Sequence, residues 1–159
     1  MLRNMASVYI QYKNKMLLLY RVGSRVISPS WCGIGGHFEK DELNDAKACV
    51  VRELSEETGI TEKDICDLRL RYVTLRLKNG EIRQNYFFFA TLTHEPASEY
   101  PCNEGTLEWV SIDNILEREM PFSAKPCLEH FLSTGRYNQN IYAGIATKDG
   151  IDFIELTEF

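Results

Sequence analysis

Between Asn44 and Thr58 the chain runs without a glycine or a proline, and Gly59 ends the run. No other feature constrains the fold as tightly. A stretch of this length and composition reads as a helix, with Asn44 as its N-cap and Gly59 where a C-cap glycine belongs. At about 100° per residue, Ala46, Cys49 and Val50 fall on one stripe with Leu54 at its edge, and such a stripe requires a core to bury it. Glu53, Glu56 and Glu57 continue that stripe within an arc of roughly 100°, while Lys47, Ala48, Ser55 and Thr58 lie on the other side. The inward face therefore turns triply acidic in the last turns.

An acidic helix face is ordinarily a solvated one. Here the three carboxylates share the inward face at spacings i, i+3 and i+4, where like charges repel by a few tenths of a kcal/mol per pair. They also crowd the C-terminal end, where the helix dipole disfavours anions. A divalent cation relieves both penalties, because hard cations take oxygen ligands. Arg52 reaches Glu56 at i+4. Besides an ordinary surface ion pair, its planar fork offers a way to orient one glutamate while the others face a metal.

Around this helix the pattern is mostly extended. Strands are expected at Val8 to Tyr12 and Met16 to Val22, joined by a turn at Asn14-Lys15. A loop covers Gly23 to Ser30, followed by a short glycine-rich stretch from Trp31 to Gly36. Further strands are expected at Arg69 to Leu77 and Arg83 to Leu92 around the hairpin signal Asn79-Gly80, and a short one at Glu108 to Ile112. Asp113 to Arg118 and Ser123 to Ser133 read as helices, the second capped by Ser123. A hairpin at Ile141 to Thr147 and Ile151 to Leu156 closes the chain around Asp149-Gly150. The expected class is α+β, a mixed sheet flanked by helices.

At 159 residues the chain is expected to be one domain, 1–159, large enough to bury a core without staples. The net charge of −5 and sequence pI near 5.3 argue against a nucleic acid polymer as partner. A small phosphorylated substrate stays compatible, since a cation neutralises it where Lys and Arg do not. Five cysteines in no C-x-x-C pair, with three scattered histidines, suggest neither a disulfide framework nor a zinc site. Cys49 reads as a reduced core thiol. No apolar run reaches membrane-helix length, so no membrane partner and a cytoplasmic location are expected.

From Gly35-Gly36-His37-Phe38-Glu39 through Arg52-Glu53-Leu54-Ser55-Glu56-Glu57-Thr58-Gly59-Ile60, the chain resembles the Nudix hydrolases, and among them the MutT-like branch. The family's signature is G-x5-E-x7-R-E-U-x-E-E-x-G-U, with U a bulky aliphatic residue. The second half matches from Arg52 to Ile60 and the first from Gly36 to Glu42, but Leu43 to Val51 holds two residues more than the pattern. Counting back from Arg52 puts the signature glutamate position on Asn44, so no catalytic role is expected for Glu42. Ile34 stands where many relatives carry proline.

The resemblance implies an α/β/α sandwich with the signature loop-helix (35–60) after the first strands and a C-terminal helix and hairpin (121–159). It implies Mg²⁺ or Mn²⁺ held by the Gly35 carbonyl and by Glu53, Glu56 and Glu57. Arg52, Glu53 and Glu56 take the catalytic roles, Glu53 as ligand or as orienter of the attacking water. MutT-like relatives add a carboxylate from a loop before a late strand. In Asn103-Glu104-Gly105-Thr106-Leu107-Glu108-Trp109 that is Glu104, or less well Glu108. Arg21 and Arg25 are candidates for phosphate binding. Trp31, Tyr72, Phe87 and Phe89 could stack a base, although aromatics on strands more often belong to the core.

The implied reaction is attack of water on one phosphorus of a diphosphate in a nucleoside diphosphate derivative. The leading substrate is a nucleoside triphosphate, normal or oxidised, cut to monophosphate and diphosphate. ADP-ribose and dinucleotide polyphosphates stay open, as do a catalytically silent nucleotide sensor, a purely structural acidic helix, and pairing of the chain as a homodimer.

Overall fold

The computed structural model describes residues 1–22 and 28–159. Nine described strands form a single mixed sheet: β1 (Leu2–Tyr12), β2 (Lys15–Arg21), β3 (Ser30–Cys32), β4 (Ile34–His37), β5 (Ile65–Lys78), β6 (Glu81–Leu92), β7 (Gly105–Ser111), β8 (Ile141–Thr147) and β9 (Gly150–Leu156). Two α-helices accompany them, α1 (Ala46–Thr58) and α2 (Ala124–Ser133). The strand order is β3-β2-β1-β6-β5-β8-β9, with β4 paired to β1 and β7 to β2.

The centre of the sheet is the parallel pair β1 and β6, in register from Leu2↔Ile82 to Gln11↔Thr91. The other edge of β1 is shared. Its first half pairs with β4, from Met5↔His37 to Val8↔Ile34, and its second half with β2, from Ile10↔Leu17 to Tyr12↔Lys15. The sheet therefore parts between β2 and β4, and the site lies close to that split.

Alternation along the strands builds two cores, one on each face. Ala6, Val8, Ile10, Leu17, Leu19, Phe88 and Ala90 pack with Cys49, Val50 and Leu54 of α1. The opposite parity (Tyr9, Met16, Leu18, Phe87, Phe89) packs with Cys127, Leu128 and Phe131 of α2. The result is the α/β/α sandwich. Tyr72 and Phe89 lie inside this second core, with Phe89 stacked on Phe131 at 3.7 Å, so neither is placed to stack a base.

Several expectations are corrected. The helix cap is Asp45, whose Oδ1 accepts from Ala48 N at 2.9 Å, not Asn44. Thr58 is buried: its hydroxyl donates to the Leu54 carbonyl at 2.6 Å and accepts from Ile60 N at 3.0 Å. Asp113 to Arg118 yields only a single 3₁₀ turn at Ile115–Glu117. Ser123 makes no side-chain cap and instead accepts from Asn85 Nδ2 at 3.3 Å. The glycine-rich stretch forms β3 and β4, and the turn between β1 and β2 falls on Lys13-Asn14. Asn79 and Gly80 both have positive φ, 53° and 74°, as a type I′ hairpin requires.

Candidate active site

The site begins with two glycines on β4. A Cβ on Gly35 would collide with the Ala6 carbonyl oxygen and stand 2.6 Å from Ser7 Cα, so β4 can lie this close to β1 only without a side chain there. A Cβ on Gly36 would stand 2.5 to 2.7 Å from the carboxylate of Glu53. That bare backbone is where α1 sets its first acid. Gly59, with φ 74°, donates to the Ser55 carbonyl at 2.9 Å and stops the helix just beyond Glu57.

Two arginines divide the acids. Arg52 grips Glu42 with both ends of its fork, Nε to Oε1 at 2.6 Å and Nη2 to Oε2 at 2.9 Å. Its Nη1 donates to Glu53 at 2.8 Å and to Glu56 at 3.1 Å, and Nη2 also reaches the His37 carbonyl at 3.1 Å. The Arg52 bonds, helped by the Glu39 backbone N–H, hold the buried Glu42 carboxyl down to about 2 against the opposing effect of burial. Glu42, not Asn44, is thus the residue that Arg52 grips from the preceding turn. The 3₁₀ turn Lys40–Glu42 and the following loop absorb the extra residues.

The second arginine is Arg21, at the end of β2. Its single nitrogen Nη2 is held by the Gly35 carbonyl at 2.9 Å, Glu57 Oε1 at 2.7 Å and Glu104 Oε2 at 3.0 Å. The three oxygens implied as metal ligands therefore converge on one cationic atom. Glu57 is almost fully enclosed, and its other oxygen has no partner among the described residues. Burial raises its pKa, Arg21 opposes that, and Glu104 and Glu53 reinforce it. Burial likewise raises the pKa of Glu53, against the pull of Arg52.

A gathered set of oxygen donors around a positive centre, with one buried carboxylate oxygen still unpaired, fits a hard divalent cation. Among the described residues no three His, Cys, Asp or Glu side chains are already drawn together as a metal cage. Glu56 faces outward, its side chain 60% exposed, against 13% for Glu53 and 4% for Glu57. Glu108 is turned away, paired with Arg118 at 2.7 Å. Arg25 lies outside the described residues.

Beside Arg21 and Gly35 opens a cleft of about 380 Å³, whose walls include Phe87, Asn85 and Phe122. Asn85 and Arg83 escaped the sequence reading. Their signal was polar residues on β6 in the same parity as Phe87 and Phe89, which marks the end of the core and the start of a cavity. Trp31 lies against Tyr20 and under the Arg118 guanidinium, outside that wall.

Neutralising Glu42 should be felt throughout this network. Its folded-state pKa lies below the ordinary 4.5, so its stabilisation is complete above that value and is lost as pH falls toward about 2. Glu42→Gln is expected to lower unfolding stability by about 3 kcal/mol at pH 7. In paired denaturant melts the gap to the wild-type protein should close between these two pH values. A gap independent of pH would show that the ion pair is not its source.

A NUDIX domain family model matches residues 1–131. Similar solved structures include a MutT protein from Bacillus halodurans, at 23% identity and TM-score 0.64, covering 96% of this chain and 97% of that one. A NUDIX hydrolase from Nitrosomonas europaea aligns at 18% identity and TM-score 0.72, over 92% of this chain and 79% of that one. An Ap4A hydrolase from C. elegans aligns at 16% identity and TM-score 0.66, over 86% and 98%. At these identities the structures attest the fold, and the family model carries the kinship.

Proposed function

The chain belongs to the Nudix family, and from that premise we propose that it is a MutT-like pyrophosphohydrolase that cuts a nucleoside triphosphate, normal or oxidised, to a monophosphate and diphosphate with Mg²⁺ or Mn²⁺. The observation that supports this reading most is the convergence of Gly35, Glu57 and Glu104 on the Arg21 nitrogen at 2.7 to 3.0 Å.

In this reading the Gly35 carbonyl, Glu57, Glu104 and Glu53 would hold the ion, and Glu56, now turned outward, would join them by swinging in from α1. Held there, such an ion would supply neutralisation of phosphate charge and acidification of water. Arg52, anchored on Glu42, fixes Glu53 so that its carboxylate takes a proton from the attacking water. A bond forms from water oxygen to phosphorus, and the bridging P–O bond breaks, releasing two phosphorylated products. The elevated pKa of Glu53 suits it to accept that proton. Arg21, once the acids have an ion to hold, is placed to meet the phosphates along the cleft.

The reading takes 1–159 as one hydrolase domain, supported by the parallel pairing of β8 with β5 that continues the same sheet. No described helix is long and apolar enough to cross a membrane. The five cysteines are free, which suits a reducing cytoplasm.

Two measurements test the proposal. Saturating Mg²⁺ or Mn²⁺ should raise the melting temperature by about 5–10 °C, as a ligand at a hundredfold its Kd would for a domain of this size. Phosphate release from a panel of normal and oxidised nucleoside triphosphates, ADP-ribose and diadenosine polyphosphates, compared by kcat/KM, should rank a triphosphate first. A protein that melts identically with either metal and releases nothing with metal would be a silent sensor or a structural domain.

A further inference from the structure

The far end of the cleft carries an unusual charge arrangement. In the sheet register Arg3 of β1 lies opposite Arg83 of β6, and Arg83 lies opposite Arg76 of β5. Directly paired residues share a face, and this face is that of Tyr9 and Phe87, the one the cleft opens on. Three arginines thus stand in a row across three adjacent strands. Lys78, two residues beyond Arg76 on β5, extends the row along that face.

Like charges directly opposed on neighbouring strands are destabilising. Only one carboxylate among the described residues is ion-paired with the four cations, Glu81, which reaches Arg83 at 2.8 Å and Arg3 at 3.8 Å, and one other, Glu119, lines the cleft. Arg76 has no ion-pair partner among them and lies over the Phe122 ring at 4.2 Å, while Arg76, Lys78 and Arg83 all line the cleft. In a chain of net charge −5 this concentration of positive charge stands out against the whole molecule. A cleft in which one sign predominates focuses its field on a ligand of the other, and here Arg21, Arg76, Lys78 and Arg83 outnumber Glu119 along the lining.

The row also has a measurable position. Gly35 pairs with Ser7, and Arg3 stands four residues along the same strand. At about 3.3 Å per residue the two ends are about 13 Å apart along β1, and the long arginine side chains shorten the gap. One substrate lying in the cleft can therefore touch both ends.

We propose that the Arg76–Arg83–Lys78 end of the cleft is a second phosphate subsite. It takes an organic phosphate that carries an additional phosphate group away from the diphosphate being cut. The inference rests on the hydrolase reading for the other end of the cleft, but the subsite is defined by its own residues. The additional phosphate has two chemical sources, a phosphate monoester on a sugar hydroxyl or the far phosphates of a longer polyphosphate chain. Guanidinium forks pair with either.

The experiment compares compounds that differ only in this group. One arm uses NADH against NADPH and dephospho-coenzyme A against coenzyme A; the other uses diadenosine triphosphate against the hexaphosphate. Wild-type kcat/KM should favour the more phosphorylated member of at least one pair by roughly tenfold to a hundredfold, the range of one or two charge-assisted bonds. The responding arm identifies the source. The ratio should fall to near one in the Arg76→Gln/Lys78→Gln protein and survive in Arg76→Lys. Calorimetric titration with adenosine 3′,5′-bisphosphate against AMP, and with tripolyphosphate against diphosphate, gives a readout that needs no turnover. If neither comparison favours the additional phosphate, or the preference survives in the double variant, the subsite is wrong. If binding shows the preference and the variant loses it while no compound is hydrolysed, the subsite stands and the hydrolase reading falls.

Discussion

Glu57→Gln is expected to cut metal-dependent turnover by on the order of 10³-fold or more while the protein stays folded. The amide keeps the shape of the side chain and removes the charge that draws a cation to this corner. Arg21 would still have the Gly35 carbonyl and Glu104 to hold. The stability effect has the opposite sign from the activity effect. Burial raises the pKa of Glu57 above its unfolded value, so what this group contributes to stability is present at low pH and is lost as pH rises through the folded-state pKa. An uncharged residue escapes that loss. Without added metal, the melting temperature of Glu57→Gln should equal or exceed that of the wild-type protein at pH 8, with the difference shrinking toward pH 4. Activity would be followed as phosphate or diphosphate release on every substrate the wild-type protein accepts. Near-normal turnover would remove Glu57 from the machinery. A collapse of the melt would mean that the carboxylate is there for the fold and not for the chemistry.

Such a residue is stabilising as an acid and costly as an anion, which is why the sequence made it conspicuous. An acidic triplet continuing an apolar stripe is legible because periodicity alone places it, and α1 buries Cys49, Val50, Leu54 and Glu57. The alternating strands were equally readable, since the two parities of β1, β2 and β6 feed two separate cores. Local chemistry was less decisive where two neighbours could do the same job. Asn44 and Asp45 are both good caps, and only the path of the preceding turn selects the second. Strand β4 was hidden because glycine is a poor strand former, and what makes it a strand is close approach to β1. The pairing of Glu42 with Arg52 was obscured by counting along a chain whose extra residues leave the spatial relation intact. Arg21 and Glu57 are 36 positions apart, and the row Arg3–Arg83–Arg76 depends on the register of three strands. Contacts of this kind belong to the tertiary fold, and no local pattern announces them.

The glycine pair gives the second large effect, because its two members should fail differently. At Gly36 an added methyl meets Oε1, Cδ and Oε2 of Glu53 at 2.5 to 2.7 Å. These are the movable end of a side chain, so the backbone can stay while the carboxylate swings aside and leaves the 2.8 Å bond from Arg52. Gly36→Ala is therefore expected to lose only about 1 kcal/mol of stability. Its kcat should fall by roughly a hundredfold, the scale of a displacement of about 1 Å at a reacting group. At Gly35 the same methyl meets the Ala6 carbonyl and Ser7 Cα, which are backbone atoms of the central strand. They cannot yield without pulling β4 from β1, and the carbonyl that faces Arg21 would move with them. Gly35→Ala should lose about 3 kcal/mol or fail to fold. Melting temperature and kcat measured on both proteins separate the cases: position 36 should cost mainly activity, position 35 the fold first. If Gly36→Ala turned over at the wild-type rate, the placement of Glu53 against that bare backbone could not be what the reaction depends on, and the proton would have to be accepted elsewhere.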